Sequence, residues 1–134
     1  MTIQSVTLDA TLESLPKLMG WVETVVTPLP LSVQQIQLVV EEAFVNIVHY
    51  SYGDMGGKVT LSVDYQPDKQ LIFEIRDSGH PFDPTRPSPL IDRTSSLERR
   101  REGGLGLMLM KKFMTEVRYR REGQENVLTL IRKL

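Results

Sequence analysis

Four of the predicted β-strands in this chain come as two adjacent pairs, and each pair is joined by a connection of about four residues. The four segments with alternating apolar residues are Lys58–Tyr65, Leu71–Arg76, Val117–Arg121 and Val127–Arg132. In the first connection, Pro67 in second position predicts a type I turn. Connections this short join antiparallel neighbours, because parallel strands need a crossover of a dozen or more residues. The sequence therefore predicts a mostly antiparallel sheet.

Helical spacing of apolar residues accounts for most of the remaining pattern. A short strand is predicted over Thr2–Asp9, followed by a helix that ends before Pro28. A second helix, with Ser32 as its N-cap, is predicted to run to about Tyr50, and a third begins near Gly104. The element order is then β-α-α-β-β-loop-α-β-β. This order predicts an α+β fold, a two-layer sandwich with helices on one face of the sheet.

Composition limits the classes of protein to which the chain can belong. Its 134 residues predict a single domain, residues 1–134, large enough to bury roughly two-thirds of its unfolded surface. The absence of cysteine excludes a disulfide framework, thiol catalysis and thiolate metal sites. There is no apolar run of 18 or more residues and no signal-peptide pattern, so we expect a cytoplasmic protein that does not insert into a membrane.

The charge is divided unevenly along the chain. Residues 1–85 carry 4 basic and 11 acidic residues, a net charge of −7, whereas residues 86–134 carry 12 and 6, a net charge of +6. A basic half can attract nucleic acid, the phosphates of a nucleotide or an acidic partner. Few aromatic residues lie among the arginines, so we do not expect nucleic-acid binding.

The second predicted helix carries an acid and an amide one turn apart. Glu42 and Asn46 lie on the side opposite the apolar stripe, whereas Glu41 points about 100° away. An amide oxygen is a suitable ligand for Mg²⁺, and a carboxylate one turn away can accept a proton from an attacking hydroxyl. The alternative is a solvated or internally paired helix face.

Two further motifs flank a long aperiodic stretch. Asp77 ends a predicted strand, where its carboxylate can accept a hydrogen bond from an amine, and Gly79 permits close approach of a ring. Gly103, Gly104 and Gly106, around Leu105, form a turn whose amides can face an anion at a helix start. The alternatives are an ordinary turn and an ordinary glycine-rich helix start. The aperiodic stretch runs from Ser78 to Glu102, and a loop this long is usually functional or disordered.

Taken in order, these three motifs resemble the three boxes of the GHKL ATP-binding family, which includes gyrase, histidine kinases and anti-sigma serine kinases. The resemblance implies ATP and Mg²⁺ as cofactors and a mobile lid over residues 78–102. The roles it implies are Mg²⁺ binding by Asn46, general base catalysis by Glu42, adenine recognition by Asp77 and Gly79, and phosphate binding by Gly103, Gly104, Leu105 and Gly106. The sequence departs from the family at Tyr50, where relatives often have histidine.

A single domain of this type is similar to the anti-sigma factor serine kinase branch. The Pro81-Phe82-Asp83-Pro84 continuation, frequent in that branch, extends the match. The resemblance implies a serine/threonine protein kinase that phosphorylates a STAS-domain antagonist protein. A sigma factor and a second copy of the chain are further candidate partners. The alternative is a nucleotide-gated protein-binding module with little or no phosphotransfer.

Overall fold

The computed structural model describes residues 2–86 and 106–134, which contain five strands and three α-helices. The strands are β1 (Thr2–Asp9), β2 (Lys58–Gln66), β3 (Gln70–Asp77), β4 (Glu116–Glu122) and β5 (Glu125–Lys133). The helices are α1 (Leu15–Val26), α2 (Val33–Asn46) and α3 (residues 106–113). The sheet order is β1-β2-β3-β5-β4, and every neighbouring pair is antiparallel.

The sheet is covered by helices on one face, as predicted. Along β3 buried and partly exposed residues alternate strictly, so Leu71, Phe73 and Ile75 all point to the same side. That side packs against fully buried residues of the helices, including Phe44 of α2 and Met110 of α3. The α+β two-layer architecture is therefore confirmed. No helix within residues 2–86 and 106–134 is long and apolar enough to cross a membrane.

The N-terminus of α2 lies where the sequence predicted it, but its C-terminus does not. The hydroxyl of Ser32 accepts a hydrogen bond from the amide of Gln35 at 3.3 Å, which confirms the predicted N-cap. The regular helix ends at Asn46 rather than near Tyr50. The chain then continues as a π-helical turn, Ile47–Tyr52. Such wider turns are rare and frequently lie at functional sites.

One predicted turn has a different geometry. The amide of Lys69 donates to the carbonyl of Gln66 at 3.0 Å, so a turn closes where it was expected. However, Asp68 has a φ of 61°, and a type I turn requires a negative φ at this third position. The type I prediction was wrong. A positive φ at this position is characteristic of type II, and aspartate tolerates that conformation better than most residues.

One end of the sheet carries a row of polar residues on the helix-covered face. Asp77 follows the inward-facing residues of β3 and is itself 3% exposed. In the strand register it lies between Val59 of β2 and Asn126 of β5, and Asn126 is paired in turn with Arg121 of β4. The alternation that builds the core therefore also turns these polar side chains inward.

Candidate functional site

Among the residues that the structure describes, Asp77 is the most buried acidic side chain at this end of the sheet. Its Oδ1 accepts hydrogen bonds from the Gly79 amide at 3.0 Å and from Nδ2 of Asn126 at 2.9 Å. Burial raises the pKa of the Asp77 carboxyl above its ordinary value, while the hydrogen bonds and the charge of Arg121 act in the opposite direction. The carboxylate is thus held in one orientation by these hydrogen bonds and is partly removed from water.

Asn126, which the sequence analysis did not identify as a site residue, is the centre of the hydrogen-bond network around Asp77. Besides its bond to Asp77, its Nδ2 donates to the carbonyl of His80 at 2.8 Å and to Ser51 Oγ at 3.4 Å. Its Oδ1 accepts from the Phe82 amide, from the Tyr119 hydroxyl and from Nη1 of Arg121, at 3.2, 2.5 and 3.2 Å. One buried amide therefore connects β3, β4, β5, the π-helical turn and the segment after β3.

Gly79 is required by a contact within the protein. A Cβ at this position would lie 2.4 Å from the carbonyl oxygen of Ser51, a clash with backbone that no side-chain movement relieves. The next residue reinforces the contact, because the His80 amide donates to the same oxygen at 2.6 Å. The glycine of the second motif thus allows the strand end to pack against the π-helical turn. The proposed approach of an adenine ring to Gly79 stays a prediction.

The two candidate residues on α2 face different neighbours. Asn46 lines a cleft together with Asp77 and Asn126. Glu42, one turn earlier, lies against the first residue of α3, since a Cβ on Gly106 would stand 2.8 Å from Oε2 of Glu42. The structure thereby brings the first motif together with both the second motif and the described part of the third.

The cleft itself combines polar and apolar walls. Its lining residues are Ala43, Asn46, Ile47, Ser51, Asp77, Phe82, Pro84, Tyr119, Asn126 and Leu128. Tyr50 does not line it, but its ring stacks on that of Phe82, with centroids 5.0 Å apart and planes inclined by 24°. The cleft therefore offers polar groups that can form hydrogen bonds, and one of its walls, Phe82, is backed by a second aromatic ring.

Part of the predicted site falls outside the described residues. Gly103, Gly104 and Leu105 lie in the undescribed stretch, as do residues 87–102 of the predicted lid. Gly106 is described, and it is buried at the start of α3. The phosphate-binding role of this turn stays a prediction.

A metal at this site would have few protein ligands. Within the described ranges, no group of three or more His, Cys, Asp or Glu side chains is placed to hold a metal ion. Asn46 offers one amide oxygen at the cleft wall. That is compatible with Mg²⁺, which usually takes one or two protein ligands together with phosphate oxygens and water.

Comparison with known proteins defines the class. Residues 8–132 match the histidine kinase-like ATPase domain family, so the chain belongs to that family. Its fold is also similar to a crystal structure of the RsbU and RsbW domains of a Mycobacterium tuberculosis protein. That match has a TM-score of 0.68 at 16% identity and covers 99% of this chain and 33% of the other.

Several relatives in the family are protein kinases. The serine-protein kinase RsbW of Bacillus subtilis strain 168 is 32% identical over 96 residues, covering 64% of this chain and 56% of that protein. The serine/threonine-protein kinase BtrW of Bordetella bronchiseptica is 33% identical over 96 residues, covering 71% and 66%. The anti-sigma F factor of Clostridium acetobutylicum is 25% identical over 103 residues, covering 75% and 69%. The chain thus spans little more than half the length of the RsbW protein.

Proposed function

We propose that this chain is an ATP-dependent serine/threonine protein kinase of the anti-sigma factor type. The observation that carries the proposal is the buried Asp77 carboxylate, fixed by Gly79 and Asn126, in the cleft that Asn46 also lines. A buried carboxylate with a defined orientation is suited to accept a hydrogen bond from the exocyclic amine of adenine. Family membership and the kinase names of the relatives support the same reading.

The other site residues have separate roles in the proposed reaction. Asn46 would hold Mg²⁺, which when bound neutralises phosphate charge, and Gly103, Gly104, Leu105 and Gly106 would cradle the phosphates with their amides. Glu42 accepts the proton of the attacking serine or threonine hydroxyl. The hydroxyl oxygen bonds to the γ-phosphorus as the bond to the β,γ-bridging oxygen breaks, and ADP leaves.

The position of Glu42 supports its role as the base. It lies one helical turn from Asn46, and its carboxylate contacts the start of α3, where the phosphate-binding turn of the third motif ends. A general base must lie within hydrogen-bonding reach of the proton it removes, and the contact with Gly106 supports a position of this carboxylate near the proposed phosphates.

The proposed protein substrate is a serine or threonine of a STAS-domain antagonist protein in the cytoplasm, with a sigma factor as a second partner. The resemblance to the anti-sigma kinase branch supports both partners, and the similarity to the anti-sigma F factor of Clostridium acetobutylicum supports the sigma factor. A homodimer is a further proposal. The kinase reading is favoured over a nucleotide-gated binding module because a pure binder has no need of a carboxylate at position 42.

The test is phosphate transfer in a defined mixture. The protein is incubated with γ-labelled ATP, Mg²⁺ and a STAS-domain protein from the same genome, and label on the STAS protein is measured. We expect transfer by the wild type and none by Asn46→Ala, which should also lose the Mg²⁺-dependent part of ATP binding. Nucleotide binding without transfer to any STAS protein would favour the binding-module reading.

A further inference from the structure

The side chain of Tyr52 joins the backbone of two strand ends beside the candidate site. Its hydroxyl accepts a hydrogen bond from the amide of Ser78 at 2.7 Å and donates one to the carbonyl of Lys58 at 2.7 Å. Ser78 directly follows Asp77, the last residue of β3, and Lys58 is the first residue of β2. The hydroxyl is therefore bonded to the residue next to the buried carboxylate.

This hydroxyl takes the place of the next pair in the β2–β3 ladder. The last pair in the register is Val59 with Asp77. One step further on, Lys58 and Ser78 would face each other as antiparallel partners. The Tyr52 hydroxyl bridges the carbonyl of one and the amide of the other instead. The end of β3 is thus held by a side chain of the π-helical turn.

The ring that carries this hydroxyl is itself fixed in place. Tyr52 is only 5% exposed, so its ring has little room to move. A Cβ at position 57 would lie 2.2 Å from Cε1 of the ring, so Gly57 is needed for the ring to fit where it does. The hydroxyl therefore reaches the two strand ends from a side chain with a defined position.

The same turn holds the chain after Asp77 at a second point. The carbonyl of Ser51 accepts from the amide of His80 at 2.6 Å, in addition to the contact of Tyr52 with the preceding stretch. The turn begins directly after Asn46, the candidate Mg²⁺ ligand. Two successive residues of the turn thus link the end of β3 to the end of α2.

We infer that Tyr52 is a positioning residue for Asp77. Its hydroxyl fixes the end of β3 so that the carboxylate meets the exocyclic amine of adenine. Tyr52 does not line the cleft, so it acts through Asp77 rather than on the nucleotide. This inference rests on the proposed function, because it takes Asp77 to bind adenine. Its consequence is that the selection of adenine over a base without that amine depends on the Tyr52 hydroxyl.

Calorimetric titration with ADP and with IDP, both with Mg²⁺, tests this role. Inosine carries an oxygen where adenosine carries the exocyclic amine, so IDP cannot donate the hydrogen bond that Asp77 accepts. Tyr52→Phe removes one oxygen atom and keeps the ring against Gly57. We expect this variant to bind ADP about two- to tenfold more weakly, the range for one lost hydrogen bond, and to bind IDP as the wild type does.

The ratio of the two affinities separates positioning from stability. Loss of the hydroxyl also lowers the melting temperature, so the titrations are made where circular dichroism shows the variant to be folded. The matched control is Tyr65→Phe, which removes a tyrosine hydroxyl at the other end of β2, where Tyr65 pairs with Leu71. It should keep the wild-type ratio. In an Asp77→Asn background, Tyr52→Phe should not change the ratio further, because the hydroxyl acts through the carboxylate.

A folded Tyr52→Phe that keeps the wild-type preference for ADP over IDP, while Asp77→Asn loses it, would overturn the inference and leave the proposed function intact. A wild type that binds ADP and IDP equally, or binds neither, would overturn the assignment of Asp77 to adenine in the proposed function, and the inference with it.

Discussion

Oε2 of Glu42 occupies the space that a Cβ of Gly106 would need. The distance from that Cβ position to the carboxylate oxygen is 2.8 Å, closer than two such atoms approach without one moving. The glycine at the start of α3 therefore sets the position of the candidate base on α2. This contact couples the first motif of the sequence to the third, which lies 64 positions further along the chain, from 42 to 106.

The first prediction is that Gly106→Ala impairs transfer without unfolding the protein. The added methyl group meets the flexible end of a side chain, so Glu42 can shift and the fold survives. A displacement of about 1 Å in a catalytic group can reduce the rate by on the order of a hundredfold. We expect a tenfold to hundredfold loss of phosphotransfer, by the order of magnitude of that effect, and an unchanged melting temperature.

Gly20→Ala is the matched control for this substitution. Gly20 lies within α1, and a Cβ there meets nothing within 4 Å. Replacing a helical glycine by alanine stabilises by about 0.5–1 kcal/mol, so this variant should melt slightly higher and transfer phosphate at the wild-type rate. If Gly106→Ala also transfers at the wild-type rate, the contact with Glu42 has no catalytic importance.

The second prediction separates binding from chemistry at Glu42. Glu42→Gln keeps the size of the side chain but removes its ability to accept a proton, so it should bind Mg-ATP nearly as well as the wild type. Loss of a general base slows transfer by roughly 10²–10⁴. Single-turnover transfer measures the rate, and calorimetry measures the binding. Glu41→Gln, the same change at the preceding residue on a different side of the helix, should have no effect on either quantity.

The third prediction concerns the stability of the protein as a function of pH. Because burial raises the pKa of Asp77 in the folded state, the folded protein binds more protons than the unfolded chain between about pH 4 and that raised pKa. The Asp77 contribution to the free energy of unfolding therefore falls as pH rises through this window. Asp77→Asn removes the buried charge and retains an oxygen that can accept from Gly79 and Asn126.

We accordingly expect Asp77→Asn to melt at a higher temperature than the wild type at pH 7, and the difference to shrink as the pH approaches 4. Thermal unfolding followed by circular dichroism at several pH values measures it. If Asp77→Asn were less stable than the wild type at neutral pH, the hydrogen bonds to the carboxylate would outweigh the cost of burying its charge.

The parts of the fold that the sequence predicted are those with local causes. The β4–β5 hairpin follows from alternation and a short turn, and the N-cap Ser32 contacts a residue three positions away. The turn geometry at Asp68 and the π-helical turn after Asn46 were not predicted, because in each case the residues are also compatible with the commoner conformation.

The hydrogen-bond network around Asn126 could not be predicted from local sequence patterns. Its hydrogen-bond partners Asp77, Phe82 and Ser51 lie 49, 44 and 75 positions away, and they meet only when the sheet register is set. A usable signal was present in β5, where Asn126 shares its inward parity with two leucines. A buried polar residue on a strand is expected to form hydrogen bonds, and one partner of Asn126 is Asp77, the residue proposed to bind adenine.

The most direct test of the account is calorimetric titration of ADP and ATP into the wild type and Asp77→Asn. A hydrogen bond to a buried carboxylate contributes roughly 1.5–3 kcal/mol. We expect the wild type to bind both nucleotides and Asp77→Asn to bind both about tenfold to a hundredfold more weakly, since they share the adenine. A folded Asp77→Asn that binds ADP with wild-type affinity would contradict the assignment of this cleft as the adenine site.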